Sequence, residues 1–129
     1  MNAEQNKCTI RRLFEDAWNQ KNLDLLHDLL VPDYAERESN WAELIFAAFP
    51  DTHFTVEDML AEGDRVATRI VWRATHKGVF EGIAPTGTAV AIPGAFIHRM
   101  GQDGKAIESW GFGGSFSFSD HIKAAITAD

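Results

Sequence analysis

The spacing of apolar residues changes period once along this chain, at Pro50, and that change limits the fold more than any other feature. Before it, Cys8, Ile10, Leu13, Phe14, Ala17 and Trp18 recur at three- and four-residue steps, the stripe of an amphipathic helix over about residues 4–20. "NLDLLHDLLVPDY" predicts a second, shorter helix closed by Pro32, and "NWAELIFAAFP" a third from about Trp41, ended by Pro50. After Pro50 the period falls to two. "HFTVEDML", "GDRVATRIVWRATH", "AVAIPGAFIHRM" and "AIESWGFGG" read as strands, the last two joined across the glycine turn "GQDGK". Helices followed by an antiparallel meander predict an α+β fold, with the helices on one face of a curved sheet and a hollow between them.

With 129 residues, the chain 1–129 is expected to form one domain with its own core. A formal charge of −7, with Lys and Arg scattered, argues against nucleic acid or an anionic membrane as partner. One cysteine, Cys8, excludes an intrachain disulfide. The start "MNAEQNKCTIRR" lacks the pattern of a secretory signal, and no apolar run nears the ~20 residues of a membrane span. The expected location is cytoplasmic.

Four segments occur in a telling order: "AFPD", "GDRV", "THKGVFEGIAPTG" and "DGKAIESW". From the first helix to about Trp110, the chain resembles the SnoaL-like polyketide cyclases of the nuclear-transport-factor-2-like superfamily. The resemblance implies a cone-shaped antiparallel or mixed sheet wrapped over three N-terminal helices, a deep apolar pocket, and a homodimer formed through the sheet. It also implies a pocket Asp four residues after the Trp of "ESW", where this chain has Gly114. The family's His three residues after the Tyr of "DY" is replaced by Arg37, and only "ESN" separates Arg37 from Trp41.

Strand parity suggests what stands in for the lost acid. Val66, Thr68, Ile70 and Trp72 share one face, with Arg69, Val71 and Arg73 on the other. Phe96 and His98 share a face, and a register near 98 opposite 108 adds Glu108, Trp110, Phe112 and Gly114 to it; a slip of one residue removes them all. In that register Glu108 raises the pKa of His98, making a base near neutral pH, or the two form an ordinary cross-strand pair. His76 either holds its loop or enters the pocket. Asp120 caps the terminal helix or reaches the pocket mouth. Arg37 pairs with Glu36, Glu38 or Glu43 on the surface, or turns inward toward an anionic ligand.

Two functions fit. One is an isomerase, aldol cyclase or lyase for an apolar or aromatic carbonyl compound, with His98 as base, Glu108 orienting it, and Arg37 or the Trp18 indole N–H near the oxyanion. The other is a dimeric binder of an apolar or aromatic small molecule, lined by Trp18, Trp72, Phe96, Trp110 and Phe112. Neither needs a cofactor, and His53 and His76 have no spacing that suits a metal with another His, Asp or Glu, so no metal is expected.

Overall fold

A computed structural model describes residues 2–112 and 118–127, without the side chains of Phe112 and Phe118. Helix α1 (Ala3–Arg12) opens on Asn2, whose Oδ1 accepts from the Glu4 N–H at 2.8 Å and the Gln5 N–H at 3.3 Å. It runs into a π-helical turn, Leu13–Trp18, rather than continuing as a regular helix to residue 20. A 3₁₀ turn (Leu23–Leu25) leads into the short α2 (Leu26–Leu29), and α3 spans Pro32–Ala48.

Pro32 therefore opens α3 instead of merely closing α2, and the helix begins well before Trp41. The physics favours this. Proline at the first helical position loses only an N–H that would have no partner there, and its fixed φ suits the helix. Val31 before it is extended (φ −64°, ψ 155°), as a residue preceding proline must be. The Val31 N–H donates to the Ala106 carbonyl at 3.0 Å, beside an isolated parallel bridge between Leu30 and Ala106. This stitch fixes the start of α3 against the end of the sheet.

The sheet is antiparallel, in the order β1 (His53–Glu62), β2 (Arg65–Thr75), β3 (Ala89–Met100) and β4 (Ala106–Phe112). On β2, Val66, Thr68, Ile70 and Trp72 are buried while Arg65, Arg69 and Arg73 are exposed, as parity predicts. The inner face packs on Ile10, Leu13, Leu26, Ile45 and Phe49 from the N-terminal helices and the residue that ends α3. After β2 the chain passes so close to the end of α3 that a Cβ on Gly78 would lie 2.2 Å from the Ala47 carbonyl oxygen, leaving glycine alone tolerable there. Helix α4 (Phe118–Thr127) contributes Ile122 and Ile126 to the core.

The β3–β4 pairing corrects the expected register. Near the turn Met100 faces Ala106, the alignment that would put residue 98 opposite 108. A bulge then inserts Ile107, so Arg99 pairs with Glu108 and His98 with Ser109. One extra residue reverses the faces of everything beyond it. Glu108 turns outward and accepts from Arg99 Nε at 2.9 Å; it is not a neighbour of His98. Trp110 also faces out, 40% exposed, with the Arg65 guanidinium 5.3 Å from its ring centre. Ser109 and Gly111 take the inner positions, where a Cβ on Gly111 would lie 3.3 Å from the Phe96 ring.

Candidate active site

Between the helices and the inner face of the sheet lies a cavity of about 140 Å³. Its apolar wall is aromatic. Phe14 and Trp18, from the π-helical turn, meet Phe54 of β1 at ring-centre distances of 5.3 and 5.2 Å, and Phe96 of β3 lies 5.8 Å from Phe14. Edge-on and tilted contacts of this kind hold the rings in fixed directions.

Four side chains with titratable or hydroxyl groups interrupt that wall: Tyr34 and Glu38 from α3, His98 from β3 and Ser109 from β4. Tyr34 and Glu38 stand one turn apart, and Trp41 comes three residues later, so a single stripe of α3 faces the cavity. The Tyr34 hydroxyl donates to Ser109 Oγ at 2.9 Å, linking α3 to β4 across the cavity. The Trp18 indole N–H donates to Glu38 Oε2 at 3.0 Å.

The surroundings move these groups away from their usual ionisation. Burial raises the Glu38 pKa, opposed by the Trp18 hydrogen bond and the nearby Arg37 charge. His98 is 2% exposed, and burial lowers its pKa to about 4, the opposite direction from the one a Glu108 partner would have produced. Its Nδ1 is buried without a hydrogen-bond partner among the described residues. Burial also raises the Tyr34 pKa, with the Glu38 charge adding to the effect. At neutral pH the cavity thus presents a neutral imidazole, a neutral phenol and a carboxyl group shifted toward neutrality.

The structure places Trp18, Phe96 and His98 in this cavity wall. It does not bring the other expected residues to it. Trp72 is fully buried in the core, its ring 4.9 Å from Phe49. His76 is also fully buried, and its Nδ1 accepts from the Thr86 N–H at 3.1 Å, tying the two ends of the loop between β2 and β3. Arg37 is exposed, its guanidinium 5.6 Å from the Tyr34 ring centre. Asp120 is exposed in the first turn of α4, 3.6 Å from Lys123. Glu108 and Trp110 lie on the outer face, while Gly114 and the Phe112 side chain fall outside the described residues.

Glu38, Tyr34, Trp41 and Ser109 line the cavity although strand parity and motif spacing do not single them out. For α3 a signal existed: with Pro32 as the first helical residue, Tyr34, Glu38 and Trp41 fall at i, i+4 and i+7. Ser109 had none, because the bulge at Ile107 is not marked by a glycine or proline. Among the described residues no group of three or more His, Cys, Asp or Glu is placed to hold a metal ion, and no helix is long and apolar enough to cross a membrane.

N-terminal helices over one face of a four-stranded antiparallel sheet, enclosing a cavity with a few inward polar groups, define a pocket protein of the nuclear-transport-factor-2-like superfamily. The family model of the SnoaL-like polyketide cyclases matches residues 8–115, and the chain belongs to that family. Solved structures agree. IdmH from Streptomyces antibioticus, assigned as a polyketide cyclase, is 31% identical at a TM-score of 0.73, with 84% of this chain and 91% of that one covered. AclR from Streptomyces galilaeus, assigned as a hydroxylase, is 30% identical at a TM-score of 0.76, with 86% and 79% covered. A protein of Jannaschia sp. CCS1 assigned to the SnoaL-like polyketide cyclases is 23% identical; its TM-score of 0.84 over 98% of this chain and 94% of that one shows a shared fold. A comparison with curated proteins gives no match.

Proposed function

We propose that this protein is an acid/base catalyst for an apolar or aromatic carbonyl compound, of isomerase, aldol-cyclase or lyase type, with Glu38 as its proton-transfer group. The observation that carries this reading is the placement of the Glu38 carboxyl group: in an aromatic cavity, pKa raised by burial, one oxygen bound by an indole N–H. A carboxylate poised toward neutral pH can take a proton from a carbon beside a carbonyl and return it. The C–H electron pair moves into the carbonyl, which becomes an enolate. A neutral imidazole still carries one N–H, and His98 would donate it to the enolate oxygen as a fixed dipole. Three outcomes share this step. Glu38 returns the proton to another carbon, or the enolate carbon attacks a second carbonyl and the new alkoxide takes the Glu38 proton, or the enolate expels a group at the β position, which leaves with its bonding electron pair and takes the Glu38 proton.

Deuterium exchange tests the shared step without knowledge of the product. Neutral aromatic ketones and esters that raise the melting temperature are incubated with the protein in D₂O, and NMR tracks the hydrogen beside the carbonyl. Exchange at that carbon is the expected result. Ligands that bind throughout the series without any exchange would make the protein a binding domain for apolar or aromatic molecules.

The partner we propose besides this ligand is a second copy of the chain, held through the outer face of the sheet. Leu60, 74% exposed, and Trp110 stand there among Arg65, Arg69 and the Arg99–Glu108 pair. Light scattering at micromolar concentration is expected to give twice the mass of 14.4 kDa; a monomer throughout removes the dimer from the reading.

A further inference from the structure

We propose that Trp18 is the positioning residue of Glu38: its indole N–H binds Oε2, sustains the carboxylate form, and leaves Oε1 as the oxygen that exchanges protons with the ligand. This rests on the proposed role of Glu38 and adds the device that makes a half-buried carboxyl group usable as a base.

The geometry leaves the indole little freedom. Trp18 is 3% exposed, and Phe46 and Phe54 meet its ring edge-on at 5.4 and 5.2 Å, with interplanar angles of 68° and 76°. Its N–H reaches Glu38 Oε2 at 3.0 Å. An indole N–H only donates, so the bond is strong to a carboxylate and weak to the protonated oxygen that would otherwise carry the acid's hydrogen. It opposes the burial that pushes Glu38 toward its neutral form. One oxygen is thereby assigned to the protein, and the other remains for the ligand.

The π-helical turn serves this placement. The Asn19 N–H donates to the Phe14 carbonyl at 3.0 Å, a five-residue step. One additional residue in a turn rotates the later side chains by about 100° relative to a regular helix. The end of the turn is clamped to β1 by a reciprocal pair: Asn19 Nδ2 donates to the Phe54 carbonyl and Asn19 Oδ1 accepts the Phe54 N–H, both at 2.8 Å. A π-turn in a helix loses regular hydrogen bonding, and here its end is fixed to the strand carrying the ring that braces Trp18. The other polar groups around Glu38 are Arg37 and Tyr34 on its own helix, and His98 and Ser109 across the cavity. Of these, none is shown donating to its carboxylate.

NMR on the unmodified protein provides the first test. The Trp18 indole ¹H–¹⁵N resonance is expected to move with pH at the same midpoint as the Glu38 side-chain carboxyl ¹³C, the latter assigned by its loss in Glu38→Gln. Trp18→Phe, checked for a dispersed spectrum, is expected to raise the Glu38 midpoint by about one pH unit or more. The acidic limb of the exchange rate would move up with it. In the Glu38→Gln background the same substitution should leave the residual rate profile in place. Coupled titration together with ligand exchange supports the inference. Exchange with an indole resonance blind to Glu38, or an unmoved midpoint in folded Trp18→Phe, overturns it and leaves the proposed catalysis standing. Coupled titration without exchange of any bound ligand overturns the catalytic reading, and the role assigned to Oε1 falls with it.

Discussion

Glu38→Gln is expected to lower proton exchange and turnover by about 10²- to 10⁴-fold while ligand affinity stays within a few-fold. The amide matches the carboxylate in shape and keeps a carbonyl oxygen able to accept the Trp18 N–H, now at 3.0 Å from Oε2. It cannot take a proton at neutral pH. The fold should tolerate the change, because a half-buried carboxyl group whose pKa desolvation raises already costs stability in its charged form. Rates measured under saturating ligand separate loss of chemistry from loss of binding. A Gln variant as active as its parent would return the proton transfer to His98, which would then have to work as a base of pKa about 4. A base so weak is poorly matched to abstraction at neutral pH, and the exchange rate would be correspondingly low.

The contrast between Glu38 and Glu108 shows which parts of this molecule its sequence makes legible. The change of period at Pro50 is a statement about many residues at once, and one exception does not reverse it. The helical segment, the four strands and the buried face of β2 could all be read from it. The site depends on single residues. Taking Pro32 as a stop placed Glu38 on a connecting segment; as the first residue of α3 it gives Tyr34, Glu38 and Trp41 one face. Taking β3–β4 as an unbroken ladder put Glu108 beside His98; the bulge at Ile107 replaces it with Ser109. Both errors are displacements of phase, to which a pattern of period two or 3.6 is blind unless a turn residue marks them. The family resemblance directed attention to the position of Gly114 for a missing acid. The carboxyl group that the structure places in the cavity comes instead from α3.

His98 should make folding sensitive to acid. The unfolded chain binds a proton on this imidazole near its ordinary pKa of 6.5, but the folded chain, with the ring buried, binds it only near 4. Between those values the unfolded state holds more protons, so stability falls as pH drops through that window and levels off below it. At about 1.4 kcal/mol per pH unit the full window amounts to about 3 kcal/mol, a large fraction of a typical domain's stability. Glu38 works in the other direction. Its raised pKa lets the folded chain keep a proton that the unfolded chain releases, so its contribution favours folding at low pH and is lost as pH rises from its ordinary 4.5 through its folded value. The two must therefore be separated by variants rather than read from one curve. His98→Leu puts an apolar side chain among Phe14, Phe96 and Val66, and removes a ring whose Nδ1 has no hydrogen-bond partner among the described residues. Urea unfolding of parent and variant at steps from pH 7 to pH 4 should show the variant gaining on the parent by about 3 kcal/mol across the series. A difference that stays constant over this range would mean that the imidazole takes up its proton as freely in the folded chain as in the unfolded one. His98 would then face water, and the neutral N–H assigned to the enolate oxygen would be an imidazolium below pH 6.5 instead.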